Sequence, residues 1–384
     1  MRLVFVISAL SGGGAERVLV SLVKGLSARG HRITVVTVYG RELDFFQLPA
    51  GVDRVALGLG KDTVGLVAKL SANVRRILAL RRAIRAAKPD AVISFLGQTN
   101  VLALLAAAGL AVPVIVSEHT DPFREPLARS WERLRRITYR RAARVVSVSE
   151  AVDRYFDWIA ADRRAVIPNP VDFAELEGAA PPLALPWPHA ILAMGRLAPE
   201  KGFDLLIEAF ARVAGRFPDW GLAILGEGGL RGKLESLAAE RGLAGRVLLP
   251  GAVPAPGGTL KRAELFVLSS RWEALPMALI EAMACGLAVV ATECMAGPAD
   301  WIRPGQNAVL VPTEDVAGLA AAIEGLMQDP ARRRLLGQNA APSVRRFDLD
   351  RIVGLWEAVL PIPCPPARPA TGGSRCRTRP RDPP

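Results

Sequence analysis

The chain has 384 residues, 51% apolar and 22% charged, with 49 Lys and Arg against 37 Asp and Glu and four cysteines. That length holds two domains with separate cores, and the apolar-to-charged balance is that of a soluble globular protein rather than a disordered one. The absence of a C-x-x-C pair argues against a zinc or disulfide framework and for a reducing compartment, so a cytoplasmic location is expected.

The first apolar run, "RLVFVI" at 2–7, reads as a strand and leads into "SALSGGGAERVLV" at 8–20, where three glycines precede a helical period. Glycine breaks the run far short of the ~20 apolar residues of a membrane span, and no small-residue cleavage site follows. Consecutive glycines at a strand-to-helix junction let the backbone approach a ligand, and free N–H groups at a helix start attract negative charge. The nicotinamide fingerprint, G-x-G-x-x-G with an acidic residue ending the second strand, fails here. Gly12 and Gly14 fit, but the third position is Arg17, and the strand "RITVVTVY" at 32–39 is followed by Gly40 and Arg41. A tight turn without a ligand is the other reading of the same glycines.

"AVISFL" at 91–96 is the next strand. "NVLALLAAAGLAVPVIVSEH" at 100–119 breaks at Gly109 and Pro113, so it reads as a buried helix and then a strand that ends at His119; "RVVSVS" at 144–149 is the last strand of this half. Two Arg-rich helical stretches stand out, "VRRILALRRAIRAAK" at 74–88 and "REPLARSWERLRRITYRRAAR" at 124–144. In the second, Arg129, Arg133, Arg136, Arg140 and Arg144 recur every three or four residues as one continuous basic stripe, with Leu127, Trp131, Leu134 and Tyr139 interspersed. Residues 1–170 hold 26 Lys and Arg against 14 Asp and Glu, while the remainder holds 23 of each. That asymmetry fits an acidic partner of the first half, and an Arg-favouring genome accounts for it as well. The stripe fits either a solvated helix face or an anionic lipid surface, which gains roughly 1 kcal/mol per basic residue.

A Pro-rich segment, "EGAAPPLALPWPH" at 177–189, interrupts the alternation, which restarts with "AILAMG", "GLAILG", "RVLLPG", "LFVLSS", "AVVAT" and "AVLVP". Short β-branched runs alternating with helices predict an α/β protein of two doubly wound domains, each turning the break in its strand order toward a shared cleft. After residue 360, "PIPCPPARPATGGSRCRTRPRDPP" holds almost no large apolar side chains and reads as a disordered tail over 361–384.

The second half carries the sharper signals. "AMGRLAPEKGFDLLIEAF" at 193–210 puts Arg196 and Lys201 on the loop between a strand and a helix, where two cations can hold a diphosphate without a metal. "SSRWEALPMALIEAMACGLAVVAT" at 269–292 puts Glu273 in the turn after a strand and Glu281 two turns into the next helix. Pro276 suits the first turn of that helix, so the amides of Leu275 and Met277 should face the cleft beside Glu273. Glu281 suits two vicinal hydroxyls, such as those of a ribose. "DLD" at 348–350 formally matches a D-x-D metal motif, but it lies at a helix start, where Asp is an ordinary cap. No metal ion is expected.

Taken in order, "GGGAERV", "SEH" at 117–119, "SVSEAV" at 147–152, "VIPNPVD" at 166–172, "GRLAPEKGFDLLIEAF", "LGEG", "LPG", the E-x7-E pair and "GPADWIRPGQNAVLVP" resemble the retaining nucleotide-sugar glycosyltransferases of family 4. These enzymes have two Rossmann-like domains, the GT-B fold, and the resemblance spans about residues 1–360. It implies an acceptor-side domain over 1–175, a nucleotide-sugar domain over 176–342 and a helix over 343–360 that crosses back to the first. By position, it assigns Arg196 and Lys201 to the leaving diphosphate, Glu281 to the ribose, Glu273 and the amides after it to the sugar, and Val253 to the base. His119 corresponds to the histidine beside the anomeric centre, and Gly13 and Gly14, next to Arg17, to the loop over the sugar phosphate.

The resemblance further implies a hexose or N-acetylhexosamine donor, UDP-linked by the style of "SEH" and "GPADWI", and a lipid-linked or polysaccharide acceptor. It implies no cofactor and no nucleic-acid partner, and it fits an enzyme peripheral on the inner face of the membrane. An epimerase or phosphorylase on the same fold is the alternative. Ala274, Ala288, Ala308 and Asp300 depart from the family's usual Gly, Pro, Gly and Glu. Ala274 matters most, because it costs about 1 kcal/mol if the backbone there needs a positive φ.

Overall fold

The structure, a computed structural model, describes residues 1–60, 65–178, 181–294 and 301–361. From residue 362 the expected tail lies outside the described residues, as do positions 297–300 of the "GPADWIRPG" stretch, Asp300 included.

The first half runs β1 (Arg2–Ile7), α1 (Gly14–Ala28), β2 (Arg32–Thr37), β3 (Asp53–Ala56), α2 (Leu66–Ala87), β4 (Ala91–Phe95), α3 (Gly97–Ala107), β5 (Val114–Glu118), α4 (Arg129–Thr138), β6 (Arg144–Ser147), α5 (Glu150–Asp153) and β7 (Arg164–Val166). Its seven parallel strands lie in the order β3-β2-β1-β4-β5-β6-β7. Helices cover both faces, so β4 and β5 are buried at every residue and read as unbroken apolar runs. β3 and β7 are short edge strands, only partly covered, and offer no such run in the sequence.

After α6 (Phe173–Glu177) the second half runs β8 (His189–Met194), α7 (Phe203–Ala214), β9 (Trp220–Leu225), α8 (Arg231–Glu240), β10 (Val247–Gly251), α9 (Gly257–Arg262), β11 (Leu265–Leu268), α10 (Met277–Ala284), β12 (Ala288–Thr292), β13 (Val309–Val311), α11 (Val316–Gln328), α12 (Pro330–Ser343) and α13 (Leu349–Val359). Six parallel strands form a second sheet, β10-β9-β8-β11-β12-β13. Strand order reverses between β1 and β4 in one sheet and between β8 and β11 in the other. These are the two switch points at which open parallel sheets receive ligands.

α13 leaves the second sheet and packs on α1 of the first. Ile352, Val353 and Trp356 are buried in the first domain's core, and a Cβ at Gly25 would lie 2.5 Å from Val353. Arg29 Nη1 (2.6 Å) and His31 Nε2 (3.0 Å) both reach Glu357. Where the chain passes between domains, its outgoing and returning segments pair: Val171 N donates to Phe347 O at 2.7 Å and Leu349 N to Val171 O at 3.1 Å.

No helix among the described residues is long and apolar enough to cross a membrane. Asp348 caps α13, its carboxylate accepting from Asp350 N at 3.0 Å.

Candidate active site

The loops that leave the two switch points face each other across a cavity of about 690 Å³, within the range of small-molecule sites. Gly13, Gly14, Arg17 and His119 line it from the first domain, and Arg196, Lys201, Val253, Leu275, Met277, Glu273 and Glu281 from the second. Residues from opposite ends of the chain thus share one space.

In the second domain the loops after β8 and β11 are laced together. Gly202 closes the first loop with φ +61, and a Cβ there would sit 2.1 Å from the backbone oxygen of Ser269, so only glycine fits. Ser269 Oγ donates to Lys201 O at 2.9 Å, and Arg271 clamps Asp204 with two bonds of 2.9 and 2.7 Å. This scaffold presents Lys201 Nζ to Glu273 Oε1 at 2.7 Å, and Ser270 Oγ donates to the same oxygen at 2.7 Å. Arg196, largely exposed, pairs with Glu200 at 2.8 Å.

Pro276 is the N-cap of α10 and not a residue of its first turn, and it does not line the cavity. Glu281 accordingly lies one turn into α10, nearer the helix start than the spacing indicated. Ala274 is not among the described non-glycine residues with positive φ, so the alanine carries no backbone strain.

In the first domain Gly13 is the N-cap of α1 and Gly14 its first residue. None of Gly12, Gly13 and Gly14 has positive φ, and only Gly13 answers a need for space within the chain. A Cβ at Gly13 would lie 2.3 Å from Glu16 Oε2, while one at Gly14 would meet nothing within 4 Å. Glu16, which the motif reading passed over, is buried, accepts from Ser11 Oγ at 3.1 Å and lines the cavity. Burial raises its carboxyl above the usual range, opposed by its own backbone amide, Ser11 and nearby Arg196. Its place in the first turn of a helix after glycines was the available signal.

Arg17 crosses the cleft: Nη1 lies 3.0 Å from Glu281 Oε1 and 3.1 Å from Oε2. Burial raises the Glu281 carboxyl and Arg17 pulls it back. A second cross-cleft bond runs from Trp272 Nε1 to Glu125 Oε1 at 3.2 Å, a pair with no motif to announce it.

His119 follows β5, whose end is held by Asn100 Nδ2 at 3.0 Å from Ser117 O and by Tyr139 OH donating to Glu118. Its ring stacks on Phe95 at 4.9 Å, and Phe95 in turn stacks on Trp356 of α13 at 6.3 Å. Nε2 meets Ser117 Oγ at 2.9 Å. Burial pushes the imidazole down to about 3, against a smaller opposing effect of Asn169. An imidazole held there is neutral near neutral pH, so it can offer a hydrogen bond but not a charge.

The basic stripe is not one helix face. α4 ends at Thr138, Arg140 lies in the 3-10 turn Tyr139–Arg141, and Arg144 opens β6 with its guanidinium on Asp162 O. The helical period in the sequence ran on through a turn and into a strand. Arg129, Arg133, Arg136 and Arg140 are exposed, and none of the five lines the cavity.

A family model described as "Glycosyl transferases group 1" matches residues 187–342, and one described as "Glycosyltransferase Family 4" matches residues 12–175. The chain is 28% identical over 359 residues to a Campylobacter jejuni alpha-1,4-N-acetyl-D-galactosaminyltransferase named for a diNAcBac-PP-undecaprenol acceptor, covering 93% of this chain and 97% of the relative. It is 29% identical over 358 residues to the lipopolysaccharide core biosynthesis glycosyltransferase LpsE of Rhizobium meliloti, covering 91% and 96%. Among solved structures, sucrose-phosphate synthase from Thermosynechococcus elongatus shares the fold with a TM-score of 0.80 at 19% identity, over 94% of this chain and 98% of that one.

Proposed function

The chain belongs to family 4 of the glycosyltransferases and has the GT-B fold, and on that premise we propose a retaining, metal-independent transfer from a UDP-hexose or UDP-N-acetylhexosamine. The acceptor in this reading is a lipid-linked or polysaccharide glycan of cell-envelope assembly. The observation that carries it is the single cavity shared by Lys201, Arg196, Glu273, Glu281 and His119. The names of the Campylobacter and Rhizobium relatives support the acceptor class.

In the step itself the bond from sugar C1 to the diphosphate oxygen breaks and a bond from C1 to the acceptor oxygen forms on the same face. The acceptor proton passes to the departing diphosphate, so no enzyme nucleophile is required. Positive charge grows on the sugar and negative charge on the phosphate. Lys201 and Arg196 stabilise the second as preorganised cations. Glu273 and neutral His119 hydrogen-bond sugar hydroxyls, and Glu281 accepts from the ribose. Closure of the domains excludes water and so limits hydrolysis.

The test is acceptor-dependent release of nucleoside diphosphate from a panel of UDP-sugars, with the anomeric configuration of the product read by NMR. Release only with a polyprenyl-diphosphate glycan present, and an α product from an α donor, is expected. Sugar interconversion without release, or dependence on inorganic phosphate, assigns the epimerase or phosphorylase alternative.

A peripheral place on the inner membrane face is part of the reading. It is supported by exposed Val67, Leu70, Val74 and Leu78 along α2 and by Ile137 on α4, whose exposed face also bears Arg129, Arg133 and Arg136. Failure to co-sediment with anionic phospholipid vesicles at low salt removes it.

A further inference from the structure

Glu281 is almost wholly buried, with only 4% of its side chain exposed, and Arg17 lies against both of its oxygens. Two vicinal hydroxyls of a ribose need those same oxygens, approached from the cleft. Arg17 holds them through Nη1 alone; among the described residues its Nη2 and Nε make no other bond. A single-nitrogen contact lacks the geometry of a bidentate fork and is the weaker form of an Arg–carboxylate pair. Arg17 lines the same cavity as Arg196 and Lys201, and Glu16 in the same first turn of α1 lies within electrostatic reach of Arg196.

We infer that Arg17 occupies the ribose-binding carboxylate until a nucleotide arrives, and that the ribose hydroxyls then release it to the diphosphate as a third cation. The inference rests on Glu281 being the ribose carboxylate. It makes ribose recognition and leaving-group stabilisation one linked event, and it draws the first domain onto the donor only when a complete nucleotide is bound. The nucleoside part of the ligand must break an ion pair to bind, while the phosphates recover that cost by taking the freed guanidinium.

The competing roles separate by comparing nucleosides with their diphosphates. Uridine/UDP, adenosine/ADP, guanosine/GDP and cytidine/CDP are titrated calorimetrically into wild type, Arg17→Ala, Arg17→Lys and Glu281→Gln. For the base that binds wild type, Arg17→Ala is expected to bind the nucleoside 3- to 10-fold more tightly. Its preference for diphosphate over nucleoside should shrink at least 10-fold, with Arg17→Lys intermediate. Arg17→Lys carries the test if the alanine variant does not fold. Turnover with the sugar donor should fall in kcat more than KM rises. An unchanged diphosphate preference, or a nucleoside bound no more tightly, overturns the role of Arg17 alone. Absence of any nucleotide binding to wild type overturns the donor reading, and this role with it.

Discussion

Lys201 and Glu273, 72 residues apart in sequence, meet at 2.7 Å, so a cation assigned to the phosphate and a carboxylate assigned to the sugar are each other's partners. Arg196 is likewise paired with Glu200, and Arg17 with Glu281. Each of these three cations already has a carboxylate partner, and a donor carrying both phosphates and hydroxyls can re-partition the pairs.

Lys201→Ala is expected to lower kcat/KM by about 10²- to 10³-fold, the usual cost of removing one preorganised charge from a developing anion, about 3–4 kcal/mol. Steady-state release of nucleoside diphosphate measures it. A loss under threefold refutes the assignment of Lys201 to the leaving group.

Glu281→Ala removes the acceptor for the ribose and should weaken donor binding by at least 10-fold. At a donor concentration about 100 times Kd, the wild type gains about 2.7 kcal/mol of stability from the ligand. With Kd raised 10-fold the variant keeps only about 1.4 kcal/mol of that gain, so it should lose about half or more of the matching rise in melting temperature, read by scanning calorimetry with and without nucleotide-sugar.

His119 makes a pH prediction with a definite sign. Its folded value near 3 lies below the 6.5 of a free imidazole. As pH falls from 6.5 toward 3, the unfolded chain takes up a proton that the native ring refuses, so stability declines. In His119→Gln that decline should be shallower by about 1 kcal/mol per pH unit, measured by urea unfolding. Equal slopes exclude a buried neutral histidine.

Gly14 and Gly202 should part company. A methyl at Gly14 meets nothing and α1 accepts it, so Gly14→Ala should keep or raise stability by up to about 1 kcal/mol and yet lower turnover at least 10-fold by intruding on the cleft. Gly202→Ala strikes backbone at positive φ and should cost more than about 1 kcal/mol of stability. Melting curves and rates on both variants check the contrast.

Most of the two sheets was legible because a parallel strand covered on both faces reads as an unbroken apolar run, as in β4 and β5. Edge strands β3 and β7 lack that run, so sequence pattern passes over them. Lys201, Glu273 and Glu281 were legible as motif positions, but their pairing was not. Arg17 and Glu281 stand 264 residues apart, and no periodicity records which residue of one domain faces which of the other. The stripe ending at Arg144 shows the converse failure: a spacing of three and four persisted where the helix had already stopped at Thr138.

The docking of α13 sets an order of assembly. The first domain is synthesised first, but part of its core, Ile352, Val353 and Trp356, comes from the last described helix. Until the ribosome has passed residue 359, α1 exposes the surface those side chains cover, and Phe95 beneath His119 lacks its outer neighbour. The half of the enzyme that is born first is therefore finished last. In a chain stopped before Leu349 that surface of α1 should stay uncovered and the Phe95 ring under His119 should lose its outer support.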